Sequence, residues 1–144
     1  MTSDGNMSDD EPDLGALMAR VLPHLAALEE PILHDAGLSM WEYAIVTELA
    51  SNTVVSQAEL SRRTRRDRTR LGRHLDDLAS RGIITRERSS DQRQHAVGLT
   101  RKGRTLYEKV KKSVRTVEDE FLHLTLSSRD AARLRHLLRR LAAH

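Results

Sequence analysis

The sequence predicts a mainly α fold with one small β element. Three observations carry it. Apolar residues recur every three or four positions at both ends of the chain, Ser, Thr or Asp residues with helix-capping character precede several helical runs, and the middle holds two β-branched runs around a polar turn. With 144 residues, 38% hydrophobic and 31% charged, the chain suffices for one domain with a modest core.

Residues 1–12, MTSDGNMSDDEP, are acidic and turn-rich, and are expected to form a disordered tail because they bury too little apolar area to offset the entropy of ordering. From 13 to 36, Leu14, Met18, Val21, Leu25, Leu28 and Ile32 alternate steps of four and three, the seam of a helix that packs on another helix. Pro23 and Pro31 each lack an amide donor and crowd the preceding turn, which predicts a kink or break at both. Gly37 can end this helix. Ser39 and Glu42 have the spacing of a capping box for a second helix over about 40–51, with Tyr43, Ala44, Ile45 and Leu49 inward. Ser56 and Glu59 repeat that spacing before a short third helix anchored by Leu60. Asp67 is expected to cap a fourth helix whose Leu71, Leu75 and Leu78 share one face, with Gly82 as its stop.

The runs IITRER and QHAVGL around SSDQR read as a hairpin. Thr100 can cap a fifth helix with Leu106, Val110, Val114, Val117, Phe121 and Leu124 in register. Ser127 and Asp130 open a last helix with Leu134, Leu137, Leu138 and Leu141. The apolar faces at the two ends exceed what a monomer of this length can cover. Helices in 13–36 and 104–144 are therefore expected to form a dimerisation region beside a central lobe of 37–103.

Charge is divided unevenly. Residues 1–60 carry one basic side chain against eleven acidic ones, whereas 61–104 carry fourteen Lys or Arg against five acids. A cationic segment between less basic flanks fits a localised polyanion contact, or else a solvated arginine face. There is no Cys, which excludes disulfides, thiolate metal sites and cysteine nucleophiles. The seven His have no H-x-x-x-H step, adjacent Asp76 and Asp77 diverge on a helix, and there is no Gly-rich phosphate loop, so neither an enzyme nor a metal site nor a cofactor is expected. No apolar run approaches the roughly 18 residues of a membrane span, and the acidic N-terminus lacks the layout of a secretory signal, so a cytoplasmic protein is expected.

Two helices joined by a short turn and followed at once by a hairpin outline a winged helix-turn-helix. In that arrangement the start of the second helix enters the major groove of double-stranded DNA. With Asp67 as cap, Arg68, Thr69 and Arg70 occupy the first turn and Arg73 follows one turn later, while Leu71, Leu75 and Leu78 face the core. Arg62, Arg63, Arg65 and Arg66 are expected on DNA phosphates. At the hairpin tip Arg93 can reach a minor groove with Asp91 holding it, or the two can form a solvated ion pair.

The segments LSMWEYAIVTEL, QAELSRRT, DRTRLGRHLDDLASRGII, the D-x-R of SSDQR, and VGLTRKG resemble, in order and spacing, the multiple antibiotic resistance regulator (MarR) family over Leu38 to Gly103. The resemblance implies a homodimeric winged-helix regulator, with Arg68, Thr69, Arg70 and Arg73 on the recognition helix and Arg93, partnered by Asp91, in the minor groove. The arginine-rich turn RRTRRDR departs from the family, where apolar residues are more usual. The resemblance also implies a small anionic or aromatic effector between the dimerisation helices and the lobe. His24, His34, Trp41 and Tyr43 are the candidates for it. The expected function is a sequence-specific, ligand-responsive repressor on a pseudo-palindromic operator. The alternatives are a sequence-indifferent architectural DNA-binding protein and a protein-interaction module without DNA contact.

Overall fold

The computed structural model describes residues 10–51, 55–88 and 95–144. Among these residues, six helices and three strands follow in the order α1 (Leu14–Asp35), α2 (Met40–Ser51), β1 (Val55–Ser56), α3 (Gln57–Thr64), α4 (Arg68–Ser80), β2 (Ile84–Arg88), β3 (His95–Leu99), α5 (Arg101–His123) and α6 (Ser128–Ala142).

The helix starts follow the capping chemistry. Ser39 donates its amide to Glu42 Oε1 at 3.0 Å and its hydroxyl accepts from the Glu42 amide at 3.1 Å, a reciprocal capping box at α2. Ser56, Asp67, Thr100 and Ser127 each accept an amide of the following helix through their side chains. These bonds satisfy donors that a helix N-terminus otherwise leaves open. At the far end of α4, Gly82 adopts φ 72° and the Ile83 amide reaches back to the Leu78 carbonyl at 3.0 Å, which turns the chain into β2.

The break expected at the two prolines does not occur. α1 runs unbroken through Pro23 and Pro31 for 22 residues. It packs along α5. Tertiary packing on one face thus outweighs the one amide that each proline removes. The hairpin is present as β2 and β3, paired antiparallel from Ile84 opposite Leu99 to Arg88 opposite His95. A third strand that the sequence does not announce, the two-residue β1, pairs with β3 through Val55 opposite Val97, so the sheet order is β1-β3-β2.

The core lies where α2, α3, α4 and the sheet meet α5. Ile45, Val46 and Leu49 from α2, Leu60 from α3, Leu71, Leu75 and Leu78 from α4, Ile83 and Ile84, Val97 from β3, and Tyr107, Val110 and Val114 from α5 are buried together. Val46 and Tyr107 join this core although the periodicity did not single them out; Leu124, expected in register with α5, lies just past its end and is 82% exposed. On the outer faces of the terminal helices the pattern reverses. α1 leaves Leu14, Leu17, Met18, Val21, Leu22 and Leu28 exposed, and α6 leaves Leu134, Leu137, Leu138 and Leu141 exposed. Among the described residues, no helix is long and apolar enough to cross a membrane.

Candidate nucleic-acid interface

The turn between α3 and α4 is built by hydrogen bonds local to it. α3 ends at Thr64, whose hydroxyl donates to the Leu60 carbonyl at 2.7 Å. Arg65 then takes the left-handed conformation at φ 52° and ψ 35°, and the Arg66 amide closes onto the Ser61 carbonyl at 3.2 Å. Extended backbone at Asp67 follows, with its carboxylate accepting the Arg70 amide at 2.9 Å. That amide, together with the Arg70 and Arg66 charges, holds the Asp67 carboxyl below the usual carboxylate range, so the cap is ionised at neutral pH. α4 therefore starts at Arg68, as the capping reading predicts.

From that start the helical period separates two faces. Leu71, Leu75 and Leu78 are buried in the lobe. Arg68, Thr69, Arg70 and Arg73 are all exposed, gathered within the first two turns. Arg70 also lies 3.5 Å from Asp67 through its Nε, whereas Arg68 and Arg73 have no acid partner among the described residues. A cationic, donor-rich face at the positive end of a helix is the arrangement that meets phosphates and guanine edges.

Two further residues tie α4 to its surroundings, and neither carries a sequence signal. Arg86 of β2 is ion-paired with Asp76 and donates to the Gly72 carbonyl at 3.2 Å, joining the sheet to the middle of α4. Arg81, just past α4, donates to the Gly37 carbonyl at 2.7 Å and lies 3.8 Å from Glu42, which joins the helix end to the corner between α1 and α2. Both contacts cross the chain, so no local spacing could reveal them.

The four arginines expected on phosphates have different surroundings. Arg62 and Arg65 are exposed and have no acid partner among the described residues. Arg63 is held by Glu59 at 2.8 Å and Glu48 at 3.6 Å. Arg66 lies over the Trp41 ring, 3.9 Å from its centroid. Asp91 and Arg93, the expected wing-tip pair, lie outside the described residues.

The four effector candidates do not share one set of neighbours. His24 is exposed and stacks on Phe121, with ring centroids 6.0 Å apart. His34 lines a groove of about 340 Å³ with Glu30, Leu33, Leu38 and Met40. Trp41 sits under Arg66. Tyr43 is half-buried against Tyr107, and burial pushes its hydroxyl up to about 12, so it stays a neutral donor. Near Tyr43, Glu29 is raised to about 7, first by burial and then by its contact with Glu118.

A helix-turn-helix with an arginine face at the start of its second helix, backed by a three-stranded sheet whose last two strands form the wing, defines a winged-helix DNA-binding protein. The model of the MarR family matches residues 36–95. Solved structures superpose on nearly the whole chain. NadR in complex with 4-hydroxyphenylacetate is 25% identical at a TM-score of 0.77, with 94% of this chain and 96% of that one covered. The transcriptional repressor CouR bound to a 23-mer DNA duplex is 29% identical at 0.76, with 91% of each chain covered. A C80S mutant of MarR from E. coli has the same fold, at 23% identity, a TM-score of 0.80, and coverage of 92% and 98%. No curated protein matches the sequence. Over residues 36–95 the chain is similar to the MarR family, and that match together with the fold supports a DNA-binding transcriptional regulator.

Proposed function

We propose that this regulator is a repressor that reads a pseudo-palindromic operator as a homodimer and responds to a small anionic or aromatic effector. One observation carries the DNA part of the reading: α4 buries Leu71, Leu75 and Leu78 while exposing Arg68, Thr69, Arg70 and Arg73 at its N-terminal end. In this reading these four side chains meet base edges and nearby phosphates in the major groove, Arg62 and Arg65 meet phosphates, and Arg93 with Asp91 serves the minor groove. The exposed apolar stripes of α1 and α6 support a dimer, because contiguous apolar surface of this extent is uncommon on a soluble monomer. Two copies related by a twofold axis would present their α4 helices to half-sites about one helical turn apart.

The CouR complex with duplex DNA supports the repressor reading, and the NadR complex with 4-hydroxyphenylacetate supports an effector. Among the four candidates, His34 lines a groove between α1 and the start of α2, which supports an effector role for it.

The test is selection of duplexes from a random-sequence pool, followed by titration over a salt series. A sequence-specific regulator prefers its selected duplex over random DNA by about 10³ or more, and its affinity falls by roughly 0.9 log units per tenfold in salt for each neutralised phosphate. Equal affinity for selected and random duplexes would mark an architectural protein instead. No binding at low salt would leave a protein-interaction module.

A further inference from the structure

Arg66 differs from its neighbours in the arginine-rich turn. Its guanidinium carbon is 3.9 Å from the centroid of the Trp41 ring, and its Nε is buried with no hydrogen-bond partner. The Ser61 hydroxyl donates to its carbonyl, and its amide donates to the Ser61 carbonyl at 3.2 Å, so the backbone is held at the same place. A planar, weakly hydrated guanidinium gives up water to an aromatic face more readily than an ammonium does.

Trp41 is 40% exposed, and its backbone is held at the capped start of α2. It stands in the first turn of α2, between Ser39 and Glu42 of the capping box, and the following turns of that helix bury Ile45, Val46 and Leu49 in the core. Arg66 immediately precedes Asp67, the residue that caps α4. The stack therefore links the core helix α2 to the start of the arginine-bearing helix, across the left-handed turn residue Arg65.

We infer that Arg66 is a positioning residue, not a phosphate contact: Trp41 clamps its guanidinium, and the clamp sets where Asp67 and the first turn of α4 lie. The inference rests on the reading of α4 as the helix that meets DNA. The two roles differ in a measurable way. A phosphate contact contributes about 0.9 to the slope of log affinity against log salt, whereas a positioning residue alters affinity and leaves the slope alone. A positioning role also depends on the ring, so the effect of removing Arg66 must vanish once Trp41 is gone.

The experiment uses the full chain and the tightest duplex recovered from a random-sequence pool, titrated over a salt series with wild type, Arg66→Met, Arg66→Lys, Trp41→Leu and the Arg66→Met/Trp41→Leu double variant. Each single variant is expected to bind roughly fivefold more weakly, with the double no weaker than either single and the salt slope unchanged. Arg66→Lys keeps the charge but loses the planar stack, so it is expected to weaken binding as well. Trp41 is the only tryptophan, and its emission in the free protein is expected to shift in Arg66→Met.

A slope lower by about 0.9 for Arg66→Met, with the same loss in the Trp41→Leu background, makes Arg66 a phosphate contact and overturns the inference. So does wild-type affinity in Arg66→Lys or in both single variants. Where circular dichroism shows Trp41→Leu unfolded, Trp41→Phe replaces it; it retains a ring and is expected to bind within about twofold of wild type, and a loss equal to that of Arg66→Met counts against the clamp. Wild type that binds no duplex overturns the reading of α4 itself, which is distinct from a wild type that binds while its variants keep full affinity.

Discussion

Replacing Gly103 by Ala sets two effects of opposite sign against each other. Gly103 is buried in the first turn of α5, where alanine is the better helix former by about 1 kcal/mol. A Cβ there would lie 2.1 Å from the Ile83 carbonyl oxygen and 3.0 Å from its carbon. An ordinary carbon to oxygen approach is about 3.3 Å, so the start of α5 would have to withdraw by roughly 1 Å. Ile83 is backbone between α4 and β2 and cannot rotate away. Withdrawal stretches the Thr100 amide bond to the Ile83 carbonyl, now 3.1 Å, and the Thr100 hydroxyl bond to the Gly82 carbonyl, now 2.6 Å. Two hydrogen bonds at about 1 kcal/mol each and about 1–3 kcal/mol of overpacking exceed the propensity gain, leaving a net loss of about 2–4 kcal/mol. Urea denaturation at fixed protein concentration measures it, with a fall in melting temperature on the order of 10 °C. Gly72→Ala is the control, because a Cβ at Gly72 meets nothing within 4 Å and the propensity gain of about 1 kcal/mol acts alone. Gly103→Ala at or above wild-type stability would refute the close approach of α5 to Ile83.

Leu75 is fully buried in the lobe core, and Leu75→Ala is expected to destabilise by about 2–5 kcal/mol, read as a lower denaturation midpoint by circular dichroism. Glu29 titrates near 7 in the folded protein against an ordinary 4.5, so its protonated form contributes stability that is complete below 4.5 and is lost as pH rises to about 7. Glu29→Gln is expected to flatten the stability profile across that window and to leave the variant more stable than wild type above it, measured by denaturation across pH. Leu138→Glu places a charge in the exposed apolar stripe of α6 and is expected to shift sedimentation from dimer to monomer at micromolar concentration; a monomeric wild type would dispose of the dimer.

What the sequence made legible was local. Five helix starts were written in a side chain and an amide three residues apart, at Ser39, Ser56, Asp67, Thr100 and Ser127, and each became a hydrogen bond in the fold. The two faces of α4 were equally readable, since Leu71, Leu75 and Leu78 recur with the helical period. Features that depend on distant packing were not. Pro23 and Pro31 carry a strong local signal for interruption, and only the α5 surface beneath α1 overrules it. β1 is too short to show alternation and exists because Val55 finds Val97 across the sheet. Arg81 and Arg86 look like any other arginines in the basic segment until the fold brings Gly37 and Asp76 to them.

The charge count of the basic segment therefore overstates the charge available to a polyanion. Arg63, Arg81 and Arg86 are neutralised by Glu59, Glu42 or Asp77, and Asp76, and Arg66 is spent on Trp41. Those four brace the lobe. The exposed side chains left near the start of α4 are Arg62, Arg65, Arg68, Arg70 and Arg73, with Arg70 partly engaged by Asp67. Bracing and recognition thus draw on the same residue type in the same stretch of chain, and only geometry separates them. A guanidinium suits both tasks, because its planar fork can join carboxylates and carbonyls across elements or reach phosphates and base edges. It follows that the salt slope of DNA binding should scale with the exposed set in each chain and not with the fourteen basic residues of 61–104, so a slope near the larger number would mean that the braces open when DNA binds.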